Sequence, residues 1–266
     1  MAKETAKDGS WYFAYGSNMR LSTFTGRGIT PLAHVVVQAD THYLNFDVFG
    51  VPYGEPSFAS IDEIPPDGTL NISFPSLATG GQPELPVTVP PVVGVAYLIP
   101  DADRHRLLVS EGSGIAYECI EVEVRKIAPE EGQEVEVITA WTLKAKHPLR
   151  PNGIPSARYM NLLLEGAEEN YLPQFYVDYL RALPSYQKPE KPHSTWGQYI
   201  FDYGWRPFLR QVVRLKHFRV DEQGNCPEWI GRIIVFLYQS MWRYHDSLHT
   251  GLFGSGDGGK LVFHRT

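Results

Sequence analysis

Strand patterns dominate the first part of the chain and helix patterns the later part. Trp11-Tyr12-Phe13-Ala14-Tyr15 is an aromatic, β-forming run that stops at Gly16-Ser17-Asn18. Met19 to Phe24 then has the spacing of a short helix or helical turn. Val35–Val37, Tyr43–Asp47 and Phe58–Ile61 predict strands, the second with alternation. Residues 64–91 are rich in Pro, Gly, Ser and Thr and lack periodicity, which predicts a long surface insertion. Val92–Ile99 reads as a buried strand. A helix is expected over 104–109, with Asp101 or Asp103 able to cap it.

Tyr117–Val124 alternates, so it reads as a half-solvated antiparallel strand, and Glu134–Trp141 repeats the pattern through a hairpin near 130–132. Pro155-Ser156 opens a helix running to about residue 168, and Pro173 opens another through Leu180. Strands followed by helices favour an α+β fold with a closed or strongly curled, antiparallel-rich sheet. Beyond residue 193, apolar positions 205, 208, 209, 212 and 213 form one amphipathic stripe. Ile230, Ile233, Ile234, Leu237, Met241 and Leu248 form a second. The expected organisation is a domain over 1–192 with a helical extension over 193–266 packed on it.

Composition narrows the class. With 43% hydrophobic and 20% charged residues in 266, the chain can bury a sizeable core. The polar N-terminus has no signal-peptide pattern, and no run is long enough to span a membrane. Two cysteines, Cys119 and Cys226, make neither a disulfide framework nor a metal cluster, so a cytoplasmic setting is the default. Residues 1–193 hold 15 basic against 24 acidic side chains, a balance of −9, whereas residues 194–266 hold 9 against 6, or +3. The acidic body argues against nucleic acid as a partner. Basic amphipathic helices can lie on membranes, but packing on the parent domain is the favoured reading of the tail. There is no Walker loop, Gly-x-Gly-x-x-Gly fingerprint, Gly-x-Ser-x-Gly elbow or zinc-type Cys pair, and no cofactor or metal is expected. His245 and His249 have the i, i+4 spacing of zinc helices without a third-ligand motif. Cys119, two residues after Tyr117, is read as a buried, inert thiol.

A strand that feeds Gly16 can point successive backbone N–H groups into one concavity, a feature that attracts anionic oxygens. Tyr15-Gly16-Ser17-Asn18 at the end of a near-N-terminal strand resembles the signature loop of the γ-glutamylcyclotransferase family. A second match follows, in which a helix leads into Glu111-Gly112, a few residues, Tyr117 and an alternating strand. Pro155-Ser156 with Tyr159, and Asn-Tyr-Leu-Pro at 170–173, resemble the family's closing helices. Coverage runs from about Trp11 to Tyr186, interrupted by the insertion.

The resemblance implies a curled or barrel-like mixed sheet with flanking helices, and an enzyme acting on a small-molecule γ-glutamyl substrate. In that family the glutamyl α-amine attacks its own γ-carbonyl, closing a lactam and releasing 5-oxoproline and an amine. It implies Glu111 as the catalytic carboxylate, passing a proton from the α-ammonium to the leaving amine. Backbone groups from Tyr15 to Asn18 would hold the substrate carboxylate or the developing oxyanion. Ser17 and Asn18 side chains and the Tyr117 and Tyr159 hydroxyls are further candidates for substrate contact, though each also has a packing role open to it. A homodimer is compatible with the resemblance. A catalytically silent binding module on the same fold is the alternative. More loosely, the long tail resembles fungal members that trim γ-glutamyl groups from glutathione-derived adducts. Arg206, Arg210, Arg214, Lys216 and Arg219 could there meet an anionic leaving group.

Overall fold

A computed structural model of the chain describes residues 9–65, 70–73, 87–111, 114–127, 136–187, 195–217 and 226–265. Strand β1 (Gly9–Ala14) leads through a 3₁₀ turn (Ser17–Met19) into the short helix α1 (Leu21–Thr25). Next come β2 (Ala33–Val51), β3 (Glu55–Glu63), β4 (Leu70–Ser73), β5 (Val87–Thr88) and β6 (Pro91–Pro100). Helix α2 (Asp101–Ser110) precedes β7 (Tyr117–Lys126), β8 (Val137–Ala145) and the two-residue β9 (Asn152–Gly153). Helices α3 (Ala157–Glu169), α4 (Gln174–Ala182), α5 (Thr195–His217), α6 (Glu228–Tyr244) and α7 (Thr250–Phe253) follow, and β10 (Lys260–Arg265) ends the described chain.

The main sheet runs β3-β2-β6-β1-β8-β7, and β7 also pairs back onto β2. That last contact, Val37 opposite Lys126 and Gln38 opposite Arg125, closes five strands into a barrel and leaves β3 as a flap on β2. Closure removes the open edges of those five strands. Aromatic and β-branched side chains of these strands, Phe13, Val37, Phe46, Val95, Val122 and Val124, belong to one buried cluster. The barrel and its flanking helices thus give the expected α+β fold.

Local differences have local causes. The two strands expected over 35–37 and 43–47 are one long strand, β2, whose register shifts between Ala39 and Tyr43 against β6 and between Asn45 and Val48 against β3. Helix α2 begins earlier than its apolar pattern and has no side-chain cap; Asp101 and Asp103 sit in its first turn, against the positive end of the helix dipole. Ser156 does cap α3, accepting from the Tyr159 N–H. Cys119 is exposed rather than buried, because it shares its face of β7 with exposed Glu121 and Glu123. The hairpin at 130–132 lies outside the described residues, as do 66–69 and 74–86 of the insertion.

That insertion is not irregular throughout. β4 and β5 join β10 and β9 in a second sheet, ordered β5-β4-β10-β9. The chain's end, expected to be helical, is therefore a strand that ties the tail to the body. Two further apolar clusters sit under the tail helices. One joins Ile115 to Val212, Ile230, Ile234 and Val235, with Phe49 and Tyr238 against it. The other holds Tyr53, Phe201, Met241 and Trp242, whose indole N–H donates to the Gly50 carbonyl at 3.1 Å. Burying a residue such as Ile230 contributes about 1.5–3 kcal/mol, so these clusters hold the helices firmly. Among the described residues no helix is long and apolar enough to cross a membrane.

Candidate active site

Where β1 ends, the chain turns sharply. Gly16 has φ −114°, open to any residue, so its need for glycine is one of space: a Cβ there would lie 3.2 Å from the Tyr159 hydroxyl and 3.5 Å from the Ala59 Cβ. The turn is pinned from behind. Tyr97 donates to the Met19 carbonyl at 2.6 Å, and the Asn170 amide donates to the same oxygen at 2.8 Å. Helix α3 approaches closely because Gly166 has no side chain; a Cβ would come within 2.9 Å of the Met19 Cβ.

Glu111 caps the C-terminus of α2, its N–H bonded to the Leu107 carbonyl at 3.1 Å. Although far from the turn in sequence, it meets it in space. The Asn18 amide donates to Glu111 Oε1 at 3.0 Å and to the Tyr12 hydroxyl at 2.9 Å. Arg27, just past α1, reaches the same Oε1 at 2.7 Å and also donates to Asn18 Oδ1 at 3.1 Å. Gly112 and Ser113, the rest of the Glu-Gly segment, lie outside the described residues.

A cavity of about 430 Å³ opens on this group. Tyr15, Gly16, Ser17, Asn18, Glu111, Tyr117 and Tyr159 all line it, so every site residue expected from the sequence borders one space. Its size falls within the range of about 300–1,000 Å³ common for small-molecule sites. The tyrosine hydroxyls differ in what they leave free. Tyr15 donates to the Leu143 carbonyl, and Tyr117 donates to the Ala59 carbonyl at 3.1 Å. Tyr159 instead accepts from the Ala59 N–H at 3.3 Å, leaving its own proton to donate. Burial raises all three above the ordinary tyrosine value, Tyr159 to about 12 against opposing hydrogen bonds from Ala59 and Ser17. They stay protonated near neutrality and can act as donors.

Arg27, Arg158 and Tyr238 were not singled out from the sequence, and Val212 and Ile234 were read there only as members of amphipathic stripes. Arg27 sits in an ordinary-looking Gly-Arg-Gly stretch, and only the folded contacts reveal it. Arg158 lines the cavity mouth, paired with Glu55 at 2.5 Å. Its position in the first turn of the Ser156-capped helix was the available signal. Val212, Ile234 and Tyr238 bring the tail helices into the wall. The tail's basic residues behave differently: among the described residues lining the cavity, the one arginine or lysine is Arg158, while Arg206 pairs with Asp202 at 2.7 Å. Arg219 lies outside the described residues.

His245 and His249 use their ring nitrogens within the protein. His245 Nδ1 meets Asp246 at 2.7 Å and its Nε2 meets the Ser255 carbonyl; His249 Nε2 meets the Gly197 carbonyl at 3.0 Å. His245, Asp246 and Asp257 do come together, but Lys260 already holds Asp257 at 3.1 Å.

Similarities to known proteins fit this geometry. Residues 91–180 match the AIG2-like family, and residues 191–252 match the AclK C-terminal domain. The chain is 43% identical to the γ-glutamyl cyclotransferase gliK of Aspergillus fumigatus, covering 100% of this chain and 97% of the relative. To the γ-glutamyl cyclotransferase aclK of Aspergillus oryzae it is 33% identical, over 93% of this chain and 90% of the relative. Two solved structures share the fold. A γ-glutamyl cyclotransferase superposes with TM-score 0.50 at 21% identity, covering 69% of this chain and 91% of its own. An uncharacterized human protein, loc79017, superposes with TM-score 0.51 at 22%, covering 70% and 94%. The barrel, the turn that meets Glu111 and relatives spanning both body and tail lead to one assignment: the chain belongs to the γ-glutamyl cyclotransferase family.

Proposed function

We propose that the chain is a cofactor-independent enzyme that cleaves a γ-glutamyl amide to 5-oxoproline and a free amine, with Glu111 as its proton-transfer group. The observation that carries this reading is the meeting of Glu111 with the 15–18 turn at one cavity wall, the Asn18 amide 3.0 Å from the carboxylate. Nucleophile and electrophile belong to one substrate, so the site's task is to fold that substrate into a reactive conformer. The α-ammonium proton passes to Glu111, the amine attacks the γ-carbonyl carbon, the lactam C–N bond forms and the original amide C–N bond breaks. That proton goes to the leaving nitrogen, and the second proton that the α-nitrogen sheds on becoming a lactam N–H goes to it as well, so the amine departs as an ammonium. Tyr159, whose hydroxyl accepts from the Ala59 N–H, would donate its proton to the substrate's carboxylate or to the developing oxyanion. Tyr15, Gly16 and Ser17 border the same space.

The apolar side of the cavity supports a bulky leaving group. Phe49, Ile115, Val212, Ile234 and Tyr238 line it, and a γ-glutamyl group alone has nothing to match them. Relatives named γ-glutamyl cyclotransferase share this tail, and glutathione-derived adducts are the substrates we propose.

Incubation with γ-glutamyl-alanine, glutathione and S-benzylglutathione, with 5-oxoproline read by mass spectrometry, tests the reaction. Silence on all three would leave a binding module on the same fold. Glu111→Gln is isosteric but takes no proton from an ammonium, so turnover should fall by about 10²- to 10⁴-fold with the fold intact. Activity within a few-fold of wild type would remove Glu111 from the chemistry.

A further inference from the structure

Glu111 is held in an unusual way for a carboxylate beside an arginine. Instead of a two-oxygen fork, both neighbours converge on one oxygen. Asn18 Nδ2 and Arg27 Nη2 each reach Oε1, at 3.0 and 2.7 Å. Arg27 Nη1 then closes the triangle on Asn18 Oδ1 at 3.1 Å. The amide of Asn18 has a single workable orientation, since its second N–H goes to Tyr12 and its oxygen faces a guanidinium. Arg27 is itself braced. Its N–H bonds the Phe24 carbonyl at 2.9 Å, and Arg106 of α2 donates to the neighbouring Gly28 carbonyl at 3.1 Å. The helix that carries Glu111 therefore also steadies the loop that carries Arg27.

We infer that Arg27 and Asn18 are positioning residues that anchor Glu111 through Oε1 so that Oε2 alone exchanges protons with the substrate. The inference rests on the proposed role of Glu111 and adds a mechanism to it. A planar guanidinium stays charged throughout and bonds an oxygen in either protonation state of the acid. The carboxyl group is thereby kept from rotating between the two halves of the reaction. Oε2 takes one α-ammonium proton and the freed amine bonds to the γ-carbonyl carbon; the same Oε2 returns that proton to the departing nitrogen as the amide C–N bond breaks, and the second proton that the α-nitrogen sheds on becoming a lactam N–H follows the same path, so the amine leaves as an ammonium. No net proton is gained or lost by the enzyme. The assignment also gives Asn18 a role other than substrate contact, because its side-chain donors and acceptor are engaged by Glu111, Tyr12 and Arg27.

The test separates positioning from substrate binding and from simple stability. Arg27→Ala should lower kcat on the best of the three substrates by about 10²-fold, the scale of a misplaced catalytic group. KM and the affinity for 5-oxoproline, measured by calorimetry, should change less than about twofold. Guanidinium ion, added well below denaturing concentration, should restore part of the lost kcat in Arg27→Ala and none in Glu111→Gln. Arg27→Lys, which cannot reach Asn18 and Glu111 together through one planar group, should keep KM and lose kcat; it carries the test if Arg27→Ala fails to fold. A raised KM with kcat retained, lost 5-oxoproline binding, or unchanged kinetics would each overturn the inference. If Glu111→Gln is itself fully active, the fault lies with the proton-transfer reading, and Arg27→Ala should then be silent as well.

Discussion

Gly16 shows how little room the site allows at the level of single residues. Its backbone angles would accept an alanine, but the added carbon would press on the Tyr159 hydroxyl at 3.2 Å. Gly16→Val goes further, pushing Tyr159 off the Ala59 N–H and narrowing the turn. Turnover should drop by at least tenfold while 5-oxoproline formation in Gly16→Ala stays closer to wild type; equal activities would mean the turn does not cradle substrate. The letters of this turn, and the glutamate after α2, were legible in the sequence because both are short, ordered motifs. What those residues do with one another was not. Asn18 reads as a substrate ligand until Arg27 and Glu111 are seen around it, and nothing local marks Arg27. Cys119 is a different case. Its parity with Glu121 and Glu123 predicted exposure, and the pattern was there to be read.

Among the elements, the turn from His245 to His249 between α6 and α7 is wound as a π-helix. The i, i+4 histidines inside it have metal-ligand spacing, yet the fold gives their nitrogens to carbonyls, to Asp246 and to the Tyr244 hydroxyl. Burial, more than neighbouring His245, holds the His249 imidazole below its ordinary value of 6.5. Packed among Tyr53, Phe201 and Phe253, it stays neutral in the native chain. Unfolded, it gains a proton as pH falls through about 6.5. The native state binds fewer protons, so stability is complete above that pH and declines as pH drops toward the lowered native value. The melting temperature should therefore fall between about pH 7.5 and 5.5, and His249→Leu should flatten the fall. A melting curve indifferent to pH in both proteins would contradict this. β6, β7 and β8 were legible from their apolar runs and alternation, and α3 and α4 from their Pro-marked starts, whereas β2 read as two strands because its register shifts break the pattern. β4 and β10 were not, because each is short and finds its partner at the other end of the chain.

At the scale of the molecule, the tail is a wall of the cavity. Val212 comes from α5, Ile234 and Tyr238 from α6, and Tyr238 lies against Phe49 of β2 with ring centroids 5.1 Å apart. These residues are remote from the expected proton path, so Tyr238→Ala and Ile234→Ala should reduce kcat/KM for S-benzylglutathione by roughly 10-fold each, the value of lost apolar contact. Turnover of γ-glutamyl-alanine should change little. An equal loss on both substrates would assign the wall to folding alone. An amphipathic tail packed on the body could be read from its stripes, but not that Ile115, four residues beyond Glu111, would be its docking point.

Because that wall and Glu111 border a single space, occupancy and docking are thermodynamically linked. A ligand that touches both must tighten the tail by the same factor that a tightly docked tail improves the ligand's affinity. 5-Oxoproline, reaching only the Glu111 end, should leave amide exchange in α6 unchanged. A non-cleavable S-benzylglutathione analogue should slow exchange there, and raise the melting temperature in proportion to its saturation. Equal protection of α6 by both compounds, or by neither, would mean that the two halves of the cavity are energetically separate.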